Sequence, residues 1–269
     1  MINYSSYTAV KSLTIPYPIS IEIVSGGNGV GTLILKATVT TYLTLNNTAK
    51  FYDTIAGNTG ETATKTLAAN VETTYYFKCI SGTATLGFSN DTLIRYTYAY
   101  LTGSPTMNVD ISEMSHIQYY YGDSTTTGDI TNLSELTHLY VSPSSTITGS
   151  INGKPNLQAI SVMGNKFGNE GTNVLTGDLS IYTSLFDLLI NGTDITVDIT
   201  NLVSLTQIDS NGYVYGSISG CTQLIVCSWE NQSATIGNGV ITALAALEYF
   251  HAGGNIDITV ATVINNAKL

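Results

Sequence analysis

The stretch Ile130-Thr131-Asn132-Leu133-Ser134-Glu135-Leu136-Thr137-His138-Leu139-Tyr140-Val141 decides how the chain is read. An apolar residue is followed by Thr, then six positions on by Leu, then by apolar residues three and five positions further. The same spacing recurs at Ile111/Ile117, Ile151/Leu157, Leu179/Leu185, Ile199/Leu205, Ile218/Leu224, Ile241/Leu247 and Ile258/Ile264, which makes eight pairs. Their second members advance by 19, 21, 28, 20, 19, 23 and 17 residues. Self-similarity with a period near 20 marks a solenoid, in which no coil can bury its apolar face alone and stacked coils share one core.

Two columns flank the first apolar residue. After it stand Ser112, Thr131, Asn152, Ser180, Thr200, Ser219, Thr242 and Thr259. Before it stand Asp110, Asp129, Ser150, Asp178, Asp198, Ser217, Val240 and Asp257. Short oxygen-bearing side chains of this kind bond nearby backbone N–H groups. Carboxylates stacked at ~4.8 Å would repel one another unless each had donors. The columns therefore read as turn caps tied to the neighbouring coil. Calcium is the alternative, but it needs further oxygen ligands, and the repeat supplies no fixed second carboxylate. After the Leu, the last two apolar residues are spaced by two, as in Leu139 and Val141, which predicts a short half-buried strand in each coil. Ile130, Leu133 and Leu136 are spaced by three, which suits a 3₁₀ turn.

Leu136-x-x-Leu139-x-Val141 followed by Thr148-Gly149-Ser150-Ile151 resembles the leucine-rich repeat family. The closing turn is similar to the Thr-Gly-x-Ile style, repeated at Thr127-Gly128-Asp129-Ile130 and Thr176-Gly177-Asp178-Leu179 and varied at Tyr215-Gly216-Ser217-Ile218. The resemblance spans about residues 107–269 and implies a solenoid with one parallel sheet. It departs in the Asn column, which keeps only Asn165 and Asn255; Asn191 and Asn211 are placed to do that backbone-bonding work from shifted positions.

Ahead of the repeats, Ile19–Ile23 alternates, a Gly26-Gly27-Asn28-Gly29 loop follows, and Thr32–Ala37 continues, which predicts a hairpin. The glycines are not a phosphate loop, because no Lys-Ser/Thr follows and a strand comes next. Further strands are expected at 41–45, 49–53, 64–67, 73–80, 84–88 and 92–100. The fold class expected is mostly β: an N-terminal antiparallel β-sandwich, 1–102, serving to anchor or oligomerise, followed by a leucine-rich-repeat solenoid, 106–269, of about eight coils. Gly103 and Pro105 break the pattern between them. Residues 1–18, with Pro16 and Pro18, suit an extended docking arm. The stretch 164–173 accounts for the 28-residue step and reads as a surface insertion.

Only 10% of the 269 residues are charged while 43% are hydrophobic, so polar surface must come from Thr, Ser, Asn and the 18 Tyr. A net charge of −10 argues against nucleic acid, whose phosphates need a basic footprint. Met1–Tyr7 has neither the basic start nor the apolar stretch of an export signal, and no apolar run approaches the ~18 residues of a membrane span, so neither is expected. Three cysteines, Cys79, Cys221 and Cys227, give no disulfide framework, and Cys227 sits in a core column as a buried thiol.

Residues between the apolar ones of each strand face outward on the concave side. The candidate binding set there is Tyr119, Tyr121, His138, Tyr140, Asp187, Asn191, Gln207, Asp209, Asn211, Glu230, Tyr249 and His251. Tyr offers contact area at low entropy cost, and Asp, Asn and Gln can bond sugar or peptide. No cofactor and no metal is expected: His138 and His251 stand about 24 Å apart at the strand spacing, and no His-Glu-x-x-His motif occurs. No Ser/His/Asp set is present. Asp187 and Asp209 could fall within the ~5–9 Å of a glycosidase pair, but an open sheet offers no enclosure to raise one carboxyl. The chain is read as a non-enzyme, with a glycan-active enzyme as the weakest alternative. Its expected role is a structural or adhesion component of a bacteriophage particle, homo-oligomeric, meeting other virion proteins or a host-surface protein or glycan. The alternative is a bacterial surface or secreted leucine-rich-repeat adhesin.

Overall fold

The computed structural model describes residues 19–24, 31–37, 40–45, 49–53, 62–79, 83–88, 94–100, 106–112, 114–122, 126–141, 143, 145–164, 172–211, 213–229 and 246–252. The expected arm, the Gly loop, the boundary at 102–105, the core of the insertion and the eighth coil lie outside the described residues. Among the described residues, twenty-one strands fall into two sheets. β1 (Ile19–Val24), β3 (Thr41–Leu45), β5 (Thr64–Leu67) and β7 (Thr83–Phe88) run antiparallel in the order β1-β7-β3-β5. β2 (Gly31–Ala37), β4 (Ala49–Tyr52), β6 (Thr73–Cys79) and β8 (Ile94–Tyr100) run antiparallel in the order β8-β2-β6-β4.

The strand positions follow the sequence, but one pairing does not. β1 and β2 are not a hairpin: β1 pairs with β7, while β2 pairs with β6 and β8 in the other sheet. Alternation marks a half-buried strand and says nothing about its partner. Tyr75 ties the sheets together, its O–H donating to the Thr66 carbonyl at 2.9 Å, and its ring lies 5.8 Å from that of Phe51.

Both sheets continue into the repeats. β9 (Thr106–Asp110) pairs antiparallel with β1 and parallel with β11 (Thr126–Asp129). β10 (Tyr119–Gly122) pairs parallel with β8. From there every pairing is parallel. The larger sheet adds β12 (His138–Val141), β14 (Ala159–Ser161), β16 (Asp187–Leu189), β18 (Gln207–Ser210), β20 (Val226–Trp229) and β21 (Tyr249–Ala252). The smaller adds β13 (Thr146–Ser150), β15 (Val174–Asp178), β17 (Asp194–Asp198) and β19 (Tyr213–Tyr215). The result is a parallel β-solenoid with five complete turns, β10–β11 through β18–β19, among the described residues. Each turn carries two strands rather than the single one expected. The Thr-Gly-x-Ile stretch, read as a closing turn, is itself the second strand.

The aliphatic rungs form one interior row. Ile117, Leu136, Leu157, Leu185, Leu205, Leu224 and Leu247 are fully buried in a cluster that also takes in Leu35, Leu43, Phe51 and Phe77 from the antiparallel strands. Burying each such side chain contributes about 1.5–3 kcal/mol. The spacing of three gives tight i to i+3 turns: Leu133 N–H donates to the Ile130 carbonyl at 3.0 Å, and Leu136 N–H to that of Leu133 at 3.2 Å.

The polar columns make a ladder down the corner of the coils. The Asp caps its own turn, as when Asp129 Oδ1 accepts from Thr131 N–H at 2.7 Å and Asp198 Oδ1 from Thr200 N–H at 2.9 Å. The Ser, Thr or Asn two positions on reaches the following coil: Ser112 Oγ accepts from Asp129 N–H at 2.8 Å, Thr131 Oγ1 from Ser150 N–H at 3.1 Å, and Asn152 Oδ1 from Asp178 N–H at 2.9 Å. Ser180 and Thr200 repeat the bond to Asp198 and Ser217. Hydrogen bonds from Thr131 and Thr200 hold the Asp129 and Asp198 carboxyls below the usual carboxylate range. Their contribution to stability is complete above about pH 4 and fades as pH falls through those depressed values.

Candidate functional site

Parallel in-register pairing lines up the outward positions of the larger sheet. Tyr119, His138, Ala159, Asp187, Gln207, Val226 and Tyr249 form one row. Tyr121, Tyr140, Ser161, Leu189, Asp209, Ser228 and His251 form the next. The register extends the rows to Tyr96 and Tyr98 of β8.

The structure gathers four of the expected residues. The His138 ring stacks on Tyr119 with centroids 4.7 Å apart, and Tyr140 lies 6.1 Å from Tyr119. Tyr140 O–H donates to Asp187 Oδ2 at 3.1 Å, two strands away. The intervening strand β14 carries only Ala159 and Ser161 at its outward positions, so the longer side chains pass over it, and Ala159 is fully buried. Phe186 closes the group, its ring 5.7 Å from that of His138. Sequence reasoning missed Phe186. Its column, the residue after each rung, holds Gln118, Thr137, Gln158, Thr206, Ile225 and Glu248 elsewhere, so the one aromatic in it was the available signal.

This packing gives Asp187 an enclosure that a bare sheet would not. Burial raises its carboxyl above the usual range, and the Tyr140 hydrogen bond only partly offsets that. Its second oxygen, Oδ1, is buried and has no hydrogen-bond partner among the described residues. Burial, then the neighbouring Asp187 charge, pushes the Tyr140 phenol well up, and burial lowers the His138 imidazole. The expectation that an open sheet cannot raise a carboxyl is therefore corrected: burial of Asp187 on the sheet face raises it.

The remaining candidates separate. Gln207 stands one strand beyond Asp187, and Tyr249 three strands beyond it and half exposed, at 51%. Asp209 is partly buried, His251 is exposed, and both lie in the second row. Asn191 and Asn211 are not free for a ligand. Asn191 Oδ1 accepts from Asn211 N–H at 2.8 Å and Asn211 Oδ1 from Gly192 N–H at 2.7 Å, so they hold adjacent coils in the shifted backbone-bonding role. Tyr121 keeps its register place, but its side chain, like Glu230, lies outside the described residues. Among the described residues no group of three His, Cys, Asp or Glu could hold a metal ion, and no helix is long and apolar enough to cross a membrane.

Two buried polar features belong to the core. Cys221 and Cys227 are free and buried, with burial raising their thiols to about 11 and about 12. Lys154, unremarked in the sequence, fills the core column held elsewhere by Leu133, Tyr182 and Leu202. Its ammonium donates to the Ser150 carbonyl at 2.8 Å and the Asn152 carbonyl at 3.3 Å. Burial pushes Lys154 down to about 8, against the pull of Asp129. Between that value and the ~10.4 of an unfolded lysine the unfolded chain binds more protons, so stability rises with pH. Relative to Lys154→Met, the wild-type chain is expected to gain up to roughly 3 kcal/mol from pH 8 to 10.5. Urea melts of both chains across that range check this; parallel curves would refute it.

The fold and this cluster define a parallel β-solenoid that presents an aromatic and acidic strip on one sheet. No protein-family model matches the chain, and neither a curated protein nor a solved structure matches it.

Proposed function

We propose that this is a non-enzymatic adhesion or display protein that binds a protein or glycan on the outward face of its larger sheet. The observation that carries the reading is the Tyr119–His138–Tyr140–Phe186–Asp187 cluster on an open sheet. Rings packed side by side beside a carboxylate offer rigid contact area together with directional polar groups. In this reading the N-terminal strands form a sandwich that anchors or oligomerises, and the coils are irregular leucine-rich-repeat relatives displayed from it. Sparse charge and a Thr- and Tyr-rich composition suit a bacteriophage particle, with a bacterial surface as the alternative setting.

Tyr119→Ala is the test, on a glycan array and on intact host cells. Tyr119 is partly exposed and packs at the N-terminal end of the cluster. Binding should weaken about tenfold, the scale of one aromatic contact of about 1–1.5 kcal/mol, with the melting temperature nearly unchanged. Undiminished binding by a folded variant would move the site off this face.

A further inference from the structure

Resting on that reading, we propose that His138 decides what the strip accepts and when: it turns a lone pair at Nε2 to the ligand, so binding selects an uncharged group bearing an N–H or O–H donor and is lost when the ring takes up a proton. The tautomer follows from the bonds of Thr137. A hydroxyl has one hydrogen, and Thr137 Oγ1 donates it to the Gln118 carbonyl, 2.6 Å away. Thr206, in the same column, makes the same bond to the Phe186 carbonyl at 2.9 Å, so the arrangement recurs in the coils. Toward His138 Nδ1, 3.0 Å away, Thr137 Oγ1 can then only accept. Nδ1 carries the proton, and Nε2 of the neutral ring is left as an acceptor. Nε2 is also reachable. It has no partner of its own, yet the one buried side-chain nitrogen or oxygen without a partner among the described residues is Asp187 Oδ1.

The surroundings keep the ring neutral. It lies between Tyr119 and Phe186, and burial lowers its proton affinity. The titratable groups facing it are Tyr119 on β10, Tyr140 on its own strand and Asp187 on β16, while β14 brings only Ala159 and Ser161. Of these only Asp187 can carry a charge in the neutral-to-acid range, and it is bonded to Tyr140 and makes no ion pair with His138. Glu135, on the turn before β12, is taken by His116 and Gln118. A ligand lying on the rings excludes water from Nε2. Covering an acceptor that has gained a donor is favourable, whereas covering an imidazolium without a counter-charge is costly. By linkage, protonation of the ring must then weaken an uncharged ligand.

Nitrogen-15 spectra of the full chain read the tautomer without any ligand, with His138→Gln identifying the His138 signals among the three histidines. At about pH 7.5 the proton is expected on Nδ1 and the lone pair on Nε2, with the ring titrating below the ~6.5 of an unperturbed histidine. Binding is then followed against pH on the glycan array and on intact host cells, with circular dichroism showing that the chain stays folded. It should fall about tenfold as pH drops through the midpoint that the ring nitrogens report, the scale of one lost hydrogen bond with its donor left unpaired. His138→Gln, which offers an amide oxygen but does not titrate, should show no step there. The carboxyl-carbon signal of Asp187 marks the protonation of that group separately. A proton on Nε2, binding by the wild-type chain that is flat with pH, a step that survives in His138→Gln, or a step that follows the Asp187 carboxyl would overturn the inference and leave the binding reading standing. Binding to neither the array nor the cells at any pH would remove both.

Discussion

Leu205→Asp is expected to abolish the cooperative unfolding of the coils. Leu205 is fully buried and belongs to the row shared by the rungs above and below it. A carboxylate there has no donor, and an unpaired buried charge is costly enough to exceed the ~5–15 kcal/mol stability of a typical domain's fold or to force protonation. In a solenoid the loss does not stay local, because each coil is stabilised by its neighbours. Far-ultraviolet circular dichroism against urea should show either no folded baseline or a broad transition with a reduced slope. Leu205→Ala provides the graded control: it removes the side chain without adding charge and should cost about 2–5 kcal/mol while remaining folded. A Leu205→Asp chain with the wild-type midpoint and slope would mean that Leu205 is not a rung.

The second large effect is expected at Gly149. Its φ is +105°, and a Cβ there would stand 2.1 Å from Asp129 Oδ1 and 2.7 Å from Thr131 Oγ1. Gly149→Ala therefore combines backbone strain of about 1–3 kcal/mol with eviction of the carboxylate that caps Thr131. It also displaces the hydroxyl that accepts from Ser150 N–H. Gly153 separates the two effects. It also has positive φ, +75°, but nothing lies within 4 Å of its would-be Cβ, so Gly153→Ala should carry backbone strain alone. Urea midpoints should fall clearly further for Gly149→Ala than for Gly153→Ala. Equal shifts would mean that the corner ladder contributes little. The sequence varies the theme at Val109, Val197 and Ile256; Val197 is buried, and its coil still makes the Asp198-to-Ser180 bond. Its backbone has no positive φ, so the collision there is avoided by conformation rather than by a missing side chain.

Most of the architecture was legible because repetition averages out local ambiguity. The Ile-x-x-Leu-x-x-Leu turns, the strand after each, and the Asp and Ser/Thr columns were each seen several times, and the two columns together specify a bond between coils. What repetition could not show was the second strand. Thr-Gly-Asp-Ile reads as a turn because Gly and Asp favour turns, yet here the glycine's positive φ lets one coil's backbone lie against the preceding coil's cap. The strand partners of β1 and β2 were hidden for a related reason, since alternation fixes which face is buried but not which strand lies beside it. In the site, the outward rows followed from the register alone. Phe186, the cover over Ala159, and the desolvation of Asp187 depend on side chains crossing two strands, which no single-coil pattern encodes. Lys154 escaped notice because a lysine in a polar Asn-Gly-Lys-Pro stretch looks like surface, and only its neighbours' carbonyls make its burial tolerable.

The central claim is that successive coils stack in register, so distance along the sheet grows by one strand spacing per coil. Nitroxide labels on Ser161→Cys paired with His251→Cys, with Cys79 replaced by Ser and the buried Cys221 and Cys227 left in place, measure this directly by electron–electron dipolar spectroscopy. Four strand steps separate β14 from β21 through β16, β18 and β20, so the backbone positions should stand about 19 Å apart, with a single narrow distribution widened only by the label arms. A broad distribution, or one centred beyond about 35 Å, far more than four steps of strand spacing allow, would contradict the stacked solenoid.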